Sequence, residues 1–152
     1  AQFITMLYRV AGSPEVEIPE GKTEIELGFT DADTISDEYK MAVAWGVQNG
    51  IIKGYEDDTF RPNQAISRAQ MATMLYRYLT LEDVWGAASD EMKATYDFTD
   101  KDDIAAPFVE AVNYMANMGF IKGFGDGHFG PNETVTRGQA ATVFARIFDA
   151  VE

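Results

Sequence analysis

The chain repeats itself. Phe29-Thr30-Asp31 returns as Phe98-Thr99-Asp100, and Gly50-Ile51-Ile52-Lys53-Gly54-Tyr55 returns as Gly119-Phe120-Ile121-Lys122-Gly123-Phe124, both at an offset of 69 residues. The same offset carries Phe60-x-Pro62-Asn63 onto Phe129-x-Pro131-Asn132, and Ile66-Ser67-Arg68-Ala69-Gln70 onto Val135-Thr136-Arg137-Gly138-Gln139. Separate motifs that keep one spacing describe an array of like units, each solving the same packing problem with the same residues.

Within a unit the order is a Phe-Thr-Asp opening, a helix, a glycine-rich connection and a second helix. The first helix of the second copy is expected over residues 107–118, because proline suits a first turn and Gly119 suits the C′ position. In the first copy Ser36 is the expected N-cap, Tyr39, Val43 and Val47 share one face, and Gly50 ends the run. The stretches from Tyr55 to Phe60 and from Phe124 to Phe129 read as turns, each closed by a phenylalanine expected to be buried and by a proline. The second helix opens on a capping box, Ser67 with Gln70 and Thr136 with Gln139. Met71, Met74, Leu75, Tyr78 and Leu79 then follow helical spacing, as do Ala140, Val143, Phe144, Ile147 and Phe148.

The first residues obey the same pattern: Gln2-Phe3-Ile4-Thr5-Met6-Leu7-Tyr8-Arg9 aligns with Gln70 to Arg77. The expected organisation is one mostly α-helical domain over 1–152, with the closing helix of a module at 1–12 and complete helix-loop-helix modules at 29–80 and 98–152. Residue 1 falls inside a repeat, so the chain reads as a piece of a longer polypeptide. Residues 11–27 form an acidic connection, with Glu24-Ile25-Glu26-Leu27 expected to be extended. Residues 81–97 form a second connection with room for a short helix, and Trp85 is its best candidate for packing.

Charge and composition narrow the function. A net charge of −13 removes the counterion-release drive for binding DNA or RNA, and disfavours docking on anionic lipid. The longest apolar runs fall far short of the roughly 20 residues that cross a bilayer. With no cysteine there is no disulfide, zinc thiolate site or cysteine nucleophile. Neither acidic turn, Glu56-Asp57-Asp58 or the one holding Asp126, has the ligand spacing of an EF-hand, so no metal is expected. No cofactor motif, nucleophile elbow or phosphate loop is present. The single histidine, His128, stands where the other copy has Thr59, so the repeat offers it no catalytic partner.

Taken in order, Phe-x-Asp, an aromatic helix position at Trp45 and Tyr114, Asn-Gly-Ile-Ile-Lys-Gly-Tyr, Phe-x-Pro-Asn and the Ser/Thr-Arg-Ala/Gly-Gln box resemble the S-layer homology module. The segment Ala1 to Pro14 resembles the end of such a module. The resemblance implies modules, usually three in tandem, forming a pseudo-threefold helical spindle that anchors bacterial surface proteins to the cell wall, hence an extracellular location in wall or S-layer. The partner it implies is a secondary cell-wall polysaccharide, often bearing a pyruvate ketal, or peptidoglycan in some members. It also implies that the box arginine, here Arg68 and Arg137, and the opening aspartate, here Asp31 and Asp100, help to form ligand grooves between modules. Two departures stand out: the box glutamate is glutamine at Gln70 and Gln139, and the first closing helix starts beyond its own arginine. At most two arginine-bearing grooves are then complete.

Each candidate has a plainer role. Arg68 and Arg137 fall in a first helical turn, where the macrodipole disfavours a cation. An anionic ligand offsets that misplacement, since exposed N–H donors beside a guanidinium fork suit a carboxylate. Pairing with a structural carboxylate, Asp31 or Asp100, offsets it equally. Those aspartates either cap a turn, pair with arginine or bond sugar hydroxyls. Trp45 and Tyr114 either stack on a sugar ring or pack in the core. Gln70 and Gln139 need only the capping role. At the level of the whole chain, the alternative to glycan anchoring is protein contact or homo-oligomer assembly, because an orphan closing helix exposes an apolar face.

Overall fold

The computed structural model describes residues 1–20 and 26–151; Glu24 and Ile25, part of the stretch expected to be extended, lie outside them. The described residues form five α-helices and two short 3-10 turns, with no strand longer than the single bridge between Ser67 and Thr134. The helices are α1 (Gln2–Val10), α2 (Asp37–Gln48), α3 (Arg68–Leu79), α4 (Ala106–Asn117) and α5 (Arg137–Val151). The 3-10 turns, Ala32–Thr34 and Lys101–Asp103, follow directly on the two Phe-Thr-Asp motifs.

The chain divides into two compact units, residues 1–64 and 65–152. In the first, α1 packs on α2; in the second, α3 packs on α4. Each closing helix therefore packs on the opening helix of the following copy, and the compact units are out of phase with the sequence repeats. The equivalence extends to single bonds. The Ala1 nitrogen donates to the Pro62 carbonyl at 2.8 Å, and the Ala69 amide donates to that of Pro131 at 3.1 Å. Tyr8 packs its ring 5.6 Å from Trp45, and Tyr76 lies 5.0 Å from Tyr114.

Helix ends follow the local chemistry of the sequence. Gly50 and Gly119 occupy C′ with φ of 69° and 77°. Their amides and those of Ile51 and Phe120 bond back to Val47, Ala116, Gly46 and Met115, the Schellman pattern that uses up a helix's last carbonyls. The Ser67 and Gln70 box is closed in both directions, at 3.2 and 2.9 Å, and the Thr136 and Gln139 box at 3.1 Å in each. Ser36 stands at the N-cap of α2, but its hydroxyl makes no capping bond. Asp37 and Glu38 in the first turn supply negative charge to the helix N-terminus instead.

The core of the first unit is built from Ile4, Leu7, Val43, Trp45 and Ile51, that of the second from Met71, Leu75, Leu79, Val112, Met115 and Phe120. Each such side chain taken fully out of water stabilises by about 1.5–3 kcal/mol before entropy is counted. Residues 81–97 carry turns and no helix; Trp85 nevertheless packs, 5.3 Å from the ring of Phe120.

Candidate ligand site around Arg68

The turn of each copy is tied to its opening motif by one carboxylate. Asp100 accepts from the amides of Phe129 and Gly130 at 2.8 and 2.9 Å, one on each oxygen; Asp31 accepts from Phe60 and Arg61 at 2.8 Å each. A second bond beside each fork runs from the Thr99 amide to Gly127, and from the Thr30 amide to Asp58. Burial opposes ionisation of both aspartates, but the paired amides more than offset it and hold both carboxyls below the usual range. Of the roles open to Asp31 and Asp100 in the sequence, the structure shows the turn-holding one, and neither forms an ion pair with an arginine among the described residues.

Gly54 and Gly123 make these turns tight. Their φ values are 75° and 74°, and a Cβ on Gly123 would meet the His128 carbonyl oxygen at 2.6 Å. The turn of the second copy delivers Phe129 to the core at 0% exposure, whereas Phe60 stacks on Phe29 and is only half-buried. The expectation of two buried turn phenylalanines is thus corrected for Phe60. Phe129 is covered because a guanidinium lies over it and Phe98 lies beside it.

That guanidinium belongs to Arg68. It is 6% exposed, and its Nε donates to the Phe129 carbonyl at 2.7 Å. Its carbon sits 4.7 Å above the ring of Phe124 and 5.1 Å from that of Phe129. The backbone is held too, since the Arg68 amide donates to the Glu133 carbonyl at 2.9 Å. Burial lowers the arginine's pKa, Glu133 and Asp100 raise it through space, and Arg146 lowers it again. No carboxylate closes an ion pair with Arg68 among the described residues, and no buried side-chain nitrogen there lacks a hydrogen-bond partner. The terminal nitrogens must therefore open on solvent. A planar cation anchored at Nε, bedded on two aromatic rings and left with free donors at its tip can take a carboxylate or a phosphate.

The other sequence candidates fall elsewhere. Arg137 is exposed in the first turn of α5 and stands over no aromatic ring among the described residues. Trp45 and Tyr114 are 4% and 2% exposed, packed against Tyr8 and Tyr76, so neither offers a ring to a sugar in this conformation. Spacing does not single out Phe124 and Phe129 as an aromatic bed, although both lie in repeated motifs. No group of three or more His, Asp or Glu residues suited to a metal occurs among the described residues.

A family model for the S-layer homology domain matches residues 28–72 and again 97–141. The chain belongs to the S-layer homology family. It is 31% identical over 111 residues to the Cell surface glycoprotein 1 of Acetivibrio thermocellus, a match covering 71% of this chain and 5% of that protein. It is 29% identical over 121 residues to the Surface-layer 125 kDa protein of Lysinibacillus sphaericus, covering 80% of the chain and 9% of the relative. Identity to the Cellulosome-anchoring protein of Acetivibrio thermocellus is 26% over 105 residues, or 69% of the chain and 22% of that protein. This S-layer homology chain thus spans a small part of each relative's length. Arg68 lies in the first matched segment and its aromatic bed in the second, so the site joins two S-layer homology repeats inside one compact unit.

Proposed function

We propose that the chain is a non-catalytic anchoring module that binds an anionic secondary polysaccharide of the bacterial cell wall, with Arg68 holding the carboxylate of a group such as a pyruvate ketal. The observation that carries this reading is a buried arginine whose terminal nitrogens have no partner among the described residues. Partial burial penalises the Arg68 cation, and an anion at the open donors offsets that penalty when it binds. Asp100 serves the site indirectly: it fixes the Phe129 amide, and the Phe129 carbonyl orients Arg68. Asp31 fixes the corresponding turn of the first copy. Arg137 contributes a peripheral charge. Family membership, and relatives named as cell-surface and anchoring proteins, support placing that role at the wall.

Co-sedimentation with purified wall polymer, native and stripped of pyruvate, tests the assignment. Arg68→Lys keeps the charge and loses the fork; it is expected to bind at least roughly tenfold more weakly, against a change of about twofold for Arg137→Ala. Equal binding by a folded Arg68 variant would sink the arginine-centred site.

One observation favours assembly as a second reading. Phe148 on α5 is 48% exposed, whereas Leu79, its counterpart on α3, is 1% exposed. A dimer that resists dilution in light scattering and ignores the polymer would favour a second copy of the chain as the partner.

A further inference from the structure

The two turns hold a planar, nitrogen-bearing group against the same aromatic position, but they recruit it from different residues. In the first unit that group is Arg61, 4.0 Å above the ring of Tyr55. Its Nη2 lies 3.2 Å from Asp57, its Nε donates to Thr59 at 3.1 Å, and its Nη1 reaches Gln64 at 3.5 Å. In the second unit the place of Arg61 is taken by Gly130, and the planar group is supplied from the position of Thr59 by the ionisable ring of His128. The His128 ring stacks on Phe124 at 4.4 Å and 19°. Its Nδ1 contacts the Asp126 carboxylate, and its Nε2 lies 3.5 Å from Glu133, which stands where the first copy has Gln64.

Glu133 is within reach of a second cation. Its carbonyl already accepts the Arg68 amide, and its carboxylate is the strongest of the charges that favour the Arg68 cation. Its side chain is 55% exposed and therefore free to turn. Phe124 carries both the imidazole and the guanidinium of Arg68, so the clasp and the anion site share one ring.

We propose that His128 is a pH-dependent positioning residue for the Arg68 site: the imidazolium holds the Glu133 carboxylate, and once the imidazole is neutral Glu133 turns to Arg68 and competes with an incoming anion. The inference rests on the reading of Arg68 as an anion site. The charges facing His128 are Asp126 from its own turn, Glu133 from the segment before α5, Asp100 from the opening motif, and Arg68 of α3 across Phe124. The contact with Asp126 leads in raising the imidazole's pKa above 6.5; burial opposes it, and Glu133 and Asp100 add to it. The clasp is therefore complete below pH 6.5 and is lost as pH rises through the folded-state value. The first unit holds arginine and glutamine in those two roles and has no such response.

The chain has one histidine, so its imidazole resonances need no assignment. An NMR titration is expected to give a midpoint above 6.5 that moves down in Glu133→Gln, with the Arg68 Nε–H resonance following the same midpoint in the wild type. In co-sedimentation with purified wall polymer, the wild type is expected to bind roughly three- to tenfold more weakly at about pH 8 than at about pH 5.5. Glu133→Gln should bind at both values as strongly as the wild type does at the lower one. His128→Thr should bind weakly at both. A midpoint indifferent to Glu133→Gln, or an Arg68 resonance indifferent to the titration, overturns the proposal. So does pH-independent binding by a wild type whose binding needs Arg68. If the polymer is ignored at every pH, the anchoring reading fails, while the two NMR responses still decide whether the clasp exists.

Discussion

A glycine at a fixed place in a turn is a residue-scale decision with a calculable consequence. At Gly123 the backbone is left-handed, and the nearest obstacle to a Cβ is a backbone oxygen that cannot swing aside. Gly119 has a similar φ, 77°, and open space around its Cβ position. Gly123→Ala should therefore cost roughly 2–3 kcal/mol and Gly119→Ala about 1 kcal/mol, measured by urea denaturation of otherwise identical chains. Asp100 gives a second residue-scale prediction. Its folded-state pKa lies below 3.8, so its stabilising charge is present above that value and is lost as pH falls through the folded-state value. Asp100→Asn should lower Tm near neutrality and shrink the wild type's fall in Tm between about pH 5 and pH 2. The repeat placed Asp31, Asp100, Arg68 and Arg137 in register, and the family resemblance implied them as candidates. It could not rank them, because the two arginines stand in the same motif and differ only in what covers them.

At the scale of elements, the helices were legible because each carries its own start and stop. Capping boxes at Ser67 and Thr136 and C′ glycines at Gly50 and Gly119 act within a few residues, where sequence distance and spatial distance coincide. Ser67→Ala removes one arm of the box at the base of the helix that carries Arg68. It should cost about 1 kcal/mol and weaken polymer binding, checked by thermal unfolding and co-sedimentation of the same preparation. The stretch over residues 81–97 is the converse case: Ser89 accepts the Met92 amide at 3.4 Å, but the bonds that follow close turns and not a helix, and Trp85 is satisfied by packing on Phe120 from a turn.

The whole molecule is organised by a phase shift between repeat and compact unit. α3 belongs to the first family match and packs on α4 of the second. A polypeptide of residues 65–152 is therefore expected to fold with dispersed NMR signals. One starting at residue 97 keeps the second match whole, yet should lose cooperative unfolding because Tyr114 and Met115 lose their cover. Net charge acts at this scale as well: at −13 the chain repels itself, so Tm should rise by a few degrees between low and physiological salt while polymer binding weakens, both read in one salt series.

From the sequence alone came the 69-residue repeat and the helical class, which follow from fixed spacing and short-range chemistry, and a family resemblance carried by the repeated motifs that implied the arginines and aspartates as site residues. Tertiary structure alone decided that α3 completes the following unit and that Arg68 is bedded on Phe124 and Phe129 while Arg137 stays exposed. It alone put His128 and Glu133 in the roles that Arg61 and Gln64 fill in the other copy. Those outcomes depend on which surface covers which residue, and the parts that meet lie about sixty residues apart along the chain.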